Sequence, residues 1–177
     1  MRAIPARHLK IGGREEFTET AAFELMDGVV ITVNSLPFGF DEKMQKALPD
    51  PVPPMRPKTD GMGNPIYRDR ARKLQETEPD LESAAFKEAE KAQSRRQSAF
   101  IIYHGTRLDK SMEWEAEDDG KKPEKFYQAV YDELVAASIG AGRILRLIQA
   151  IMTLSNMSKE RMDRVADTFL SAAQGAD

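Results

Sequence analysis

The side chains with chemistry to offer are few and scattered. Two histidines, His8 and His104, stand 96 positions apart, and neither falls at a metal-ligand spacing with another donor. Glu113, Glu115, Glu117, Asp118 and Asp119 crowd one short stretch, as ligands of a hard cation might be crowded. They lack the alternation of oxygen donors around a fixed glycine that marks a calcium loop, and Lys121 and Lys122 follow at once. A solvated acidic loop is the expectation. No serine occupies a Gly-x-Ser-x-Gly elbow. Gly140-Ala141-Gly142 precedes a helix but follows another helix rather than a strand, so it reads as a turn and not a phosphate cradle. Arg143, Arg146, Lys159, Arg161 and Arg164 fall on two neighbouring helical patterns, and Glu160, Asp163 and Asp167 break that basic patch. No catalytic residue, cofactor-binding set or metal site is expected.

Composition narrows the classes further. The chain has 177 residues, 41% hydrophobic and 31% charged, with a net charge of −3. That length supports one domain with a core and some irregular chain. The charge balance argues against a bulk polyanion-binding protein. There is no cysteine, so disulfides, thiolate metal sites and a cysteine nucleophile are excluded, in keeping with a reducing cytoplasm. The basic N-terminus lacks the apolar run of a secretory signal. The longest apolar window, 139–154, is interrupted by Arg143 and Arg146 and is too short to span a bilayer.

The densest apolar patterning lies at 124–173. Phe126, Val130, Leu134 and Ala137 recur at helical steps, as do Ile144, Leu147, Ile148 and Ile151, and then Met162, Val165, Ala166, Phe169 and Leu170. Three helices are predicted, over 124–139, 143–154 and about 158–173. Pro123 starts the first, Gly140 and Gly142 separate the first two, and Ser158 caps the third. Upstream, Asp80 is expected to cap a long helix over 81–104 that Gly105 stops. Its stripe of Leu81, Ala85, Ala89, Ala92 and Ala99 buries little area, so only its second half, led by Phe100, Ile101, Ile102 and Tyr103, should enter the core.

Near the N-terminus, Asp27-Gly28 separates two alternating apolar runs and predicts a hairpin of strands 22–26 and 29–35. A two-stranded hairpin is marginal alone and needs a helix or a third strand, its own or another chain's. Residues 1–20 read as a loosely docked arm. Asp41 is the expected cap of a short helix over 42–48. Six prolines between 49 and 65 then predict an extended, stiff connector with a turn at 60–64. The whole reads as α+β and mainly α. It divides into an arm, hairpin and short helix (1–48), a proline-rich linker (49–79) and a helical domain with a C-terminal three-helix bundle (80–177).

The order of these segments resembles a known layout. A short β element is followed by a proline-rich strap (48–58), a polar helix ending in an aromatic-aliphatic patch (95–107), a Trp-Glu pair, a Pro-x-x-Phe helix start (123–134) and a terminal Phe-Leu helix. It is similar to the tail assembly chaperones of long-tailed bacteriophages and prophages, over about 25–170 and at the level of layout. That class has no fixed motif whose residues can be carried over. The resemblance implies a non-enzymatic helper in the host cytoplasm that holds a tail tube or tape-measure protein soluble. The alternative is a structural virion subunit, of tail-completion or connector type, that forms a homo-oligomeric ring. Candidate partner contacts, chosen as aromatics at breaks and as a strand edge, are Phe38, Phe40, Trp114, Val29, Ile31 and Val33. Neither nucleic acid nor a membrane is expected as a partner.

Overall fold

The computed structural model describes residues 4–11, 14–69, 71–156 and 167, with side chains from 18 onward. The fold is α+β, helices outweighing strands. Two compact units divide the chain: Met1–Pro49 with Gln93–Asp177, and Asp50–Ala92. The predicted segments 1–48 and 80–177 therefore largely share one unit. The stretch read as a linker forms most of the other.

The first unit begins with a three-stranded antiparallel sheet, β1 (Ile4–Ile11), β2 (Arg14–Met26) and β3 (Val29–Asn34), in that spatial order. The Asp27-Gly28 turn is as expected, with Gly28 at φ 79°, a region that glycine enters without steric cost. The N-terminal arm is not loose. β1 pairs with β2 from Ile4↔Thr20 to Ile11↔Arg14, so the third strand comes from the same chain. The pairing is staggered: β3 lines β2 from Thr20 to Met26, and β1 lines it from Arg14 to Thr20.

Four helices follow among the described residues: α1 (Phe40–Ala47), α2 (Ala84–Thr106), α3 (Pro123–Ala136) and α4 (Ala141–Leu154). Pro123 starts α3 as predicted. Two caps differ from expectation. Gly39, at φ 71°, precedes α1, and Asp41 falls inside its first turn. At α2 the Ser83 hydroxyl, not Asp80, accepts an N–H of the first turn, from Phe86 at 3.3 Å. Asp80 instead accepts the Glu82 N–H and closes the turn upstream. The expected third C-terminal helix falls on residues outside those described, Asp167 excepted.

Gly105 does not stop α2; it lies inside the helix. A Cβ placed there would meet Ile151 of α4 at 2.5–2.7 Å, well under any normal contact. The glycine is there because two helix backbones approach too closely for a side chain. Burial along α2 follows the sequence pattern. Phe86 is the one buried side chain before residue 93, whereas Gln93, Ser94, Ser98, Ala99, Phe100, Ile101, Ile102 and Thr106 are all buried. The core is completed by Leu25, Ile31 and Val33 of the sheet, Phe40 and Leu48, Val130 and Leu134 of α3, and Ile144, Leu147, Ile148, Ile151 and Met152 of α4. α4 lies against β2 and β3.

The second unit corrects the proline-rich connector. Its chain folds back on itself as short antiparallel pairs, β4 (Met55–Pro57) with β7 (Thr77–Pro79) and β5 (Tyr67–Asp69) with β6 (Leu74–Gln75), plus a Thr59↔Pro65 bridge. Three backbone hydrogen bonds close a cycle where the pairs meet. Lys58 N–H donates to Glu76 O (2.8 Å), Glu76 N–H to Ile66 O (2.9 Å) and Ile66 N–H to Lys58 O (2.9 Å). The result is a three-armed junction. Proline dihedrals suit an extended strand, and pairs this short leave positions that need no donor. Proline count therefore gave the local conformation correctly and the pairing incorrectly. The turn at 60–64 stands as predicted, with the Asp60 carboxylate accepting the Met62 and Asn64 N–H groups.

Gly105→Ala should lower stability by about 1–3 kcal/mol, because the buried Ile151 branch cannot yield enough to admit a methyl group. That loss should exceed the ~1 kcal/mol that alanine gains over glycine in a helix. Urea unfolding measures it. Combining Gly105→Ala with Ile151→Ala should cost less than the two changes summed.

Candidate interaction surfaces and the aromatic centre

His104, strongly perturbed, sits among aromatic rings. Phe100, Tyr103 and His104 lie on the last turns of α2, where a four-residue repeat puts Phe100 and His104 on one face. The Phe100 and His104 ring centres are 4.4 Å apart, Phe100 and Tyr127 of α3 are 4.6 Å apart, and Phe40 reaches Phe100 at 5.2 Å. His104 Nε2 lies 3.1 Å from the Tyr127 hydroxyl. Burial lowers the His104 pKa from 6.5 to about 4, and the positive charges of Arg107 and Lys43 act in the same direction. Burial also pushes the Tyr127 hydroxyl far above its usual range. Both are neutral at physiological pH, so each can serve the other as a hydrogen-bond partner.

A neutral histidine beside a tyrosine is a plausible proton-transfer pair only where a substrate can reach it. Two shallow hollows lie on α3. One, of about 150 Å³, is lined by Ala116, Glu117, Asp119, Lys122, Lys125 and Phe126 among others. The other, of about 360 Å³, is lined by Arg96, Glu124, Lys125, Gln128, Ala129 and Asp132. Neither includes His104 or Tyr127 in its lining. Among the described residues no three His, Asp or Glu side chains converge as metal ligands. The pair's visible work is structural. It fills the space between α2 and α3, and the His104 carbonyl accepts a hydrogen bond from Asn34 Nδ2 at 2.9 Å.

The predicted contact residues separate into two groups. Phe38 is 99% exposed, and Val29 is exposed beside the turn. Phe40, Ile31 and Val33 are buried in the core and present nothing to a partner. Trp114 is half-buried, its ring 6.2 Å from Tyr103. The strand edge is also occupied. The Asp109 carboxylate, from the segment after α2, accepts the Thr32 N–H, and Ser155 Oγ at the end of α4 accepts the Leu36 N–H at 2.9 Å. Alternation in sequence cannot distinguish a free edge from one closed by side chains more than 75 residues away.

The acidic stretch after α2, for which the sequence predicts a short extended piece at 113–115 and then a charged loop, is ordered through residue 117. Met112, Trp114 and Ala116 pack on the core, while Glu113, Glu115 and Glu117 are exposed between them. This is the period of a strand, laid down as an irregular strap. Glu133 of α3 fixes it by accepting the N–H groups of Glu115 (3.0 Å) and Ala116 (2.7 Å). The period-two signal was present in the sequence, although it was too short to stand out.

Among the described residues, most of the other exposed large apolar side chains lie on Asp50–Ala92. Val52, Met55, Met62, Tyr67, Leu74 and Leu81 are all exposed. Among the described residues of that unit Phe86 is the only buried hydrophobic one. The proline-rich sequence allows a partner-binding strap, but it does not reveal these exposed side chains, because proline spacing reports backbone conformation and not side-chain burial.

No protein-family profile matches the chain, and no curated protein and no solved structure matches it. Among the described residues no helix is long and apolar enough to cross a membrane.

The buried imidazole makes stability depend on pH. The unfolded chain takes up a proton near pH 6.5, and the folded chain resists until about 4. Stability from this group is complete above 6.5 and falls as pH drops from 6.5 to about 4, by on the order of 3 kcal/mol. Denaturation of the native chain and of His104→Gln across that range should differ in slope. An NMR titration placing the His104 midpoint near 6.5 would refute the assignment.

Proposed function

We propose that this protein is a non-enzymatic assembly helper that works through protein–protein contacts, of the kind its segment order resembles: a tail assembly chaperone of long-tailed bacteriophages. In that role it would act in the host cytoplasm on a tail tube or tape-measure protein. The observation that carries the reading is the Asp50–Ala92 unit, whose apolar side chains are exposed and whose backbone is organised by hydrogen bonds rather than by a core. Exposed apolar side chains along short paired strands and their turns suit capture of an extended, aggregation-prone segment. Methionine adapts its shape to varied apolar surfaces, which fits Met55 and Met62 in this setting.

The aromatic centre supports the same reading in a different way. His104 Nε2 and the Tyr127 hydroxyl are tied to each other, and the His104 carbonyl to Asn34. A stable core that carries an adhesive appendage is the division of labour such a helper needs.

Co-expression with candidate tail proteins, followed by mass determination by light scattering, tests the assignment. The expected result is a monomer or dimer that keeps an otherwise insoluble tail protein in solution. Val52→Thr, Met55→Gln and Met62→Gln together should abolish that retention and leave the melting temperature unchanged, because each side chain is exposed. A discrete ring of the chain alone, retaining no client, would move the assignment to a structural virion subunit.

A further inference from the structure

The sequence places four cations in six residues, Arg68, Arg70, Arg72 and Lys73, against a single Asp69. The structure puts Arg68, Arg72 and Lys73 on the β5–β6 arm of the three-armed junction. Arg68, Arg72 and Lys73 are exposed there, and the Arg72 side chain is 81% accessible. Arg72 lies 3.6 Å from Asp69 of its own arm. Among the described residues no ion pair engages Arg68 or Lys73. The arm is fixed locally, since Asp69 Oδ1 accepts the N–H groups of Ala71 and Arg72 at 3.0 and 3.1 Å.

The same chain carries a surface of opposite sign. Five of the seven residues at 113–119 are acidic. On the strap described above, Glu113, Glu115 and Glu117 project outward at strand spacing, and Asp118 and Asp119 follow them, also exposed. Among the described residues none of these five carboxylates is ion-paired. The strap is anchored by Trp114 packing and by Glu133, so the carboxylates stand on a fixed base. Asp118 and Asp119 spend one oxygen each on backbone N–H groups of the Gly120 bend, which sets their direction.

We propose that the basic β5–β6 arm of one copy docks on the acidic Glu113–Glu117 strap of a second copy. Charge complementarity between two different surfaces of one chain selects that occupant. A net charge of −3 and an exposed acidic strap on the same chain oppose a polyanionic nucleic acid. The arm's exposed Tyr67 and Leu74 flank its cations, so the contact has apolar area as well as charge. Because arm and strap differ, the contact is head-to-tail. It builds a ring if the rotation closes and an open chain if it does not. Exposed ion pairs are individually weak and salt-screened, so the association is weak and salt-sensitive. This contact turns on the cations of the arm, whereas client capture is assigned to Val52, Met55 and Met62.

Sedimentation velocity on the full chain tests the proposal. At about 20 mM salt the native chain should self-associate, and at about 500 mM salt the dissociation constant should rise on the order of tenfold or more. An arm variant (Arg68→Glu, Arg72→Glu, Lys73→Glu) and a strap variant (Glu113→Lys, Glu115→Lys, Glu117→Lys) should each remain monomeric alone. Mixed, they should associate again, since each then offers the charge the other needs. If either triple variant has a lowered melting temperature, neutral changes at the same positions, such as Arg68→Gln with Arg72→Gln, replace it. A native chain that is monomeric at low salt overturns the proposal. So does undiminished association of the separate variants, or a mixture that stays monomeric. Salt-sensitive binding of a labelled oligonucleotide by a monomeric native chain assigns the arm to nucleic acid instead. Loss of association in the charge variants with client retention intact distinguishes this contact from the apolar one, and Met55→Gln with Met62→Gln should give the reverse.

Discussion

The structure of the larger unit depends on a close approach of two helices at residues 104–106. Gly105 admits Ile151 where no Cβ would fit. One residue earlier, the His104 carbonyl accepts the Asn34 amide. One residue later, Thr106 is buried and returns its hydroxyl to the Ile102 carbonyl at 2.8 Å. Three successive residues thus fix α2 to α4, fix α2 to the end of β3, and satisfy the helix's own terminus. Interior packing at this density leaves little room for adjustment, so a displacement at Gly105 would be felt at the sheet and in the aromatic cluster together. The placement of Phe100, His104 and Tyr127 follows from that approach.

Much of this was visible in residue patterning. The helical periods of α3 and α4 and the Asp-Gly hairpin gave element types correctly, because one apolar face and one special turn decide each. The half-buried character of α2 was legible too, since alanine buries little and the Phe100–Tyr103 run buries much. Less legible was anything settled by a distant partner. Gly105 has the composition of a helix stop, and only Ile151, 46 residues later, makes it a packing glycine. Thr32 reads as an edge position until Asp109 is brought to it. Phe40, Ile31 and Val33 have the residue types of either an anchor or a core, and the fold assigned them to the core.

The proline-rich segment illustrates a different limit. Proline constrains its own φ and removes a donor, and both facts suit an isolated extended strand as well as a short paired one. What selects pairing is a set of three chain crossings, each needing the other two, and no local residue pattern specifies any one of them alone. The smaller unit therefore gains order from connectivity, while its side chains remain exposed. This inverts the larger unit, in which a buried apolar cluster sets the order. Surface chemistry in the smaller unit is correspondingly free of core constraints. It carries exposed methionines on two arms and basic residues on the third, and the acidic strap on the larger unit is held by Trp114 and Glu133 rather than by a sheet.

The cycle formed by Lys58, Ile66 and Glu76 has a consequence for how this chain can vary. A closed cycle of three bonds fixes register only at its centre. Beyond it, the arm tipped by residues 60–64 and the arm tipped by 71–73 are independent of each other. A residue added at either tip lengthens that arm and leaves the junction and the other arm in register. Such a design lets binding specificity drift through insertions and point changes at the tips under little folding constraint. Tip sequences should accordingly diverge quickly among descendants of this chain, while residues 104–106 and 151 change slowly.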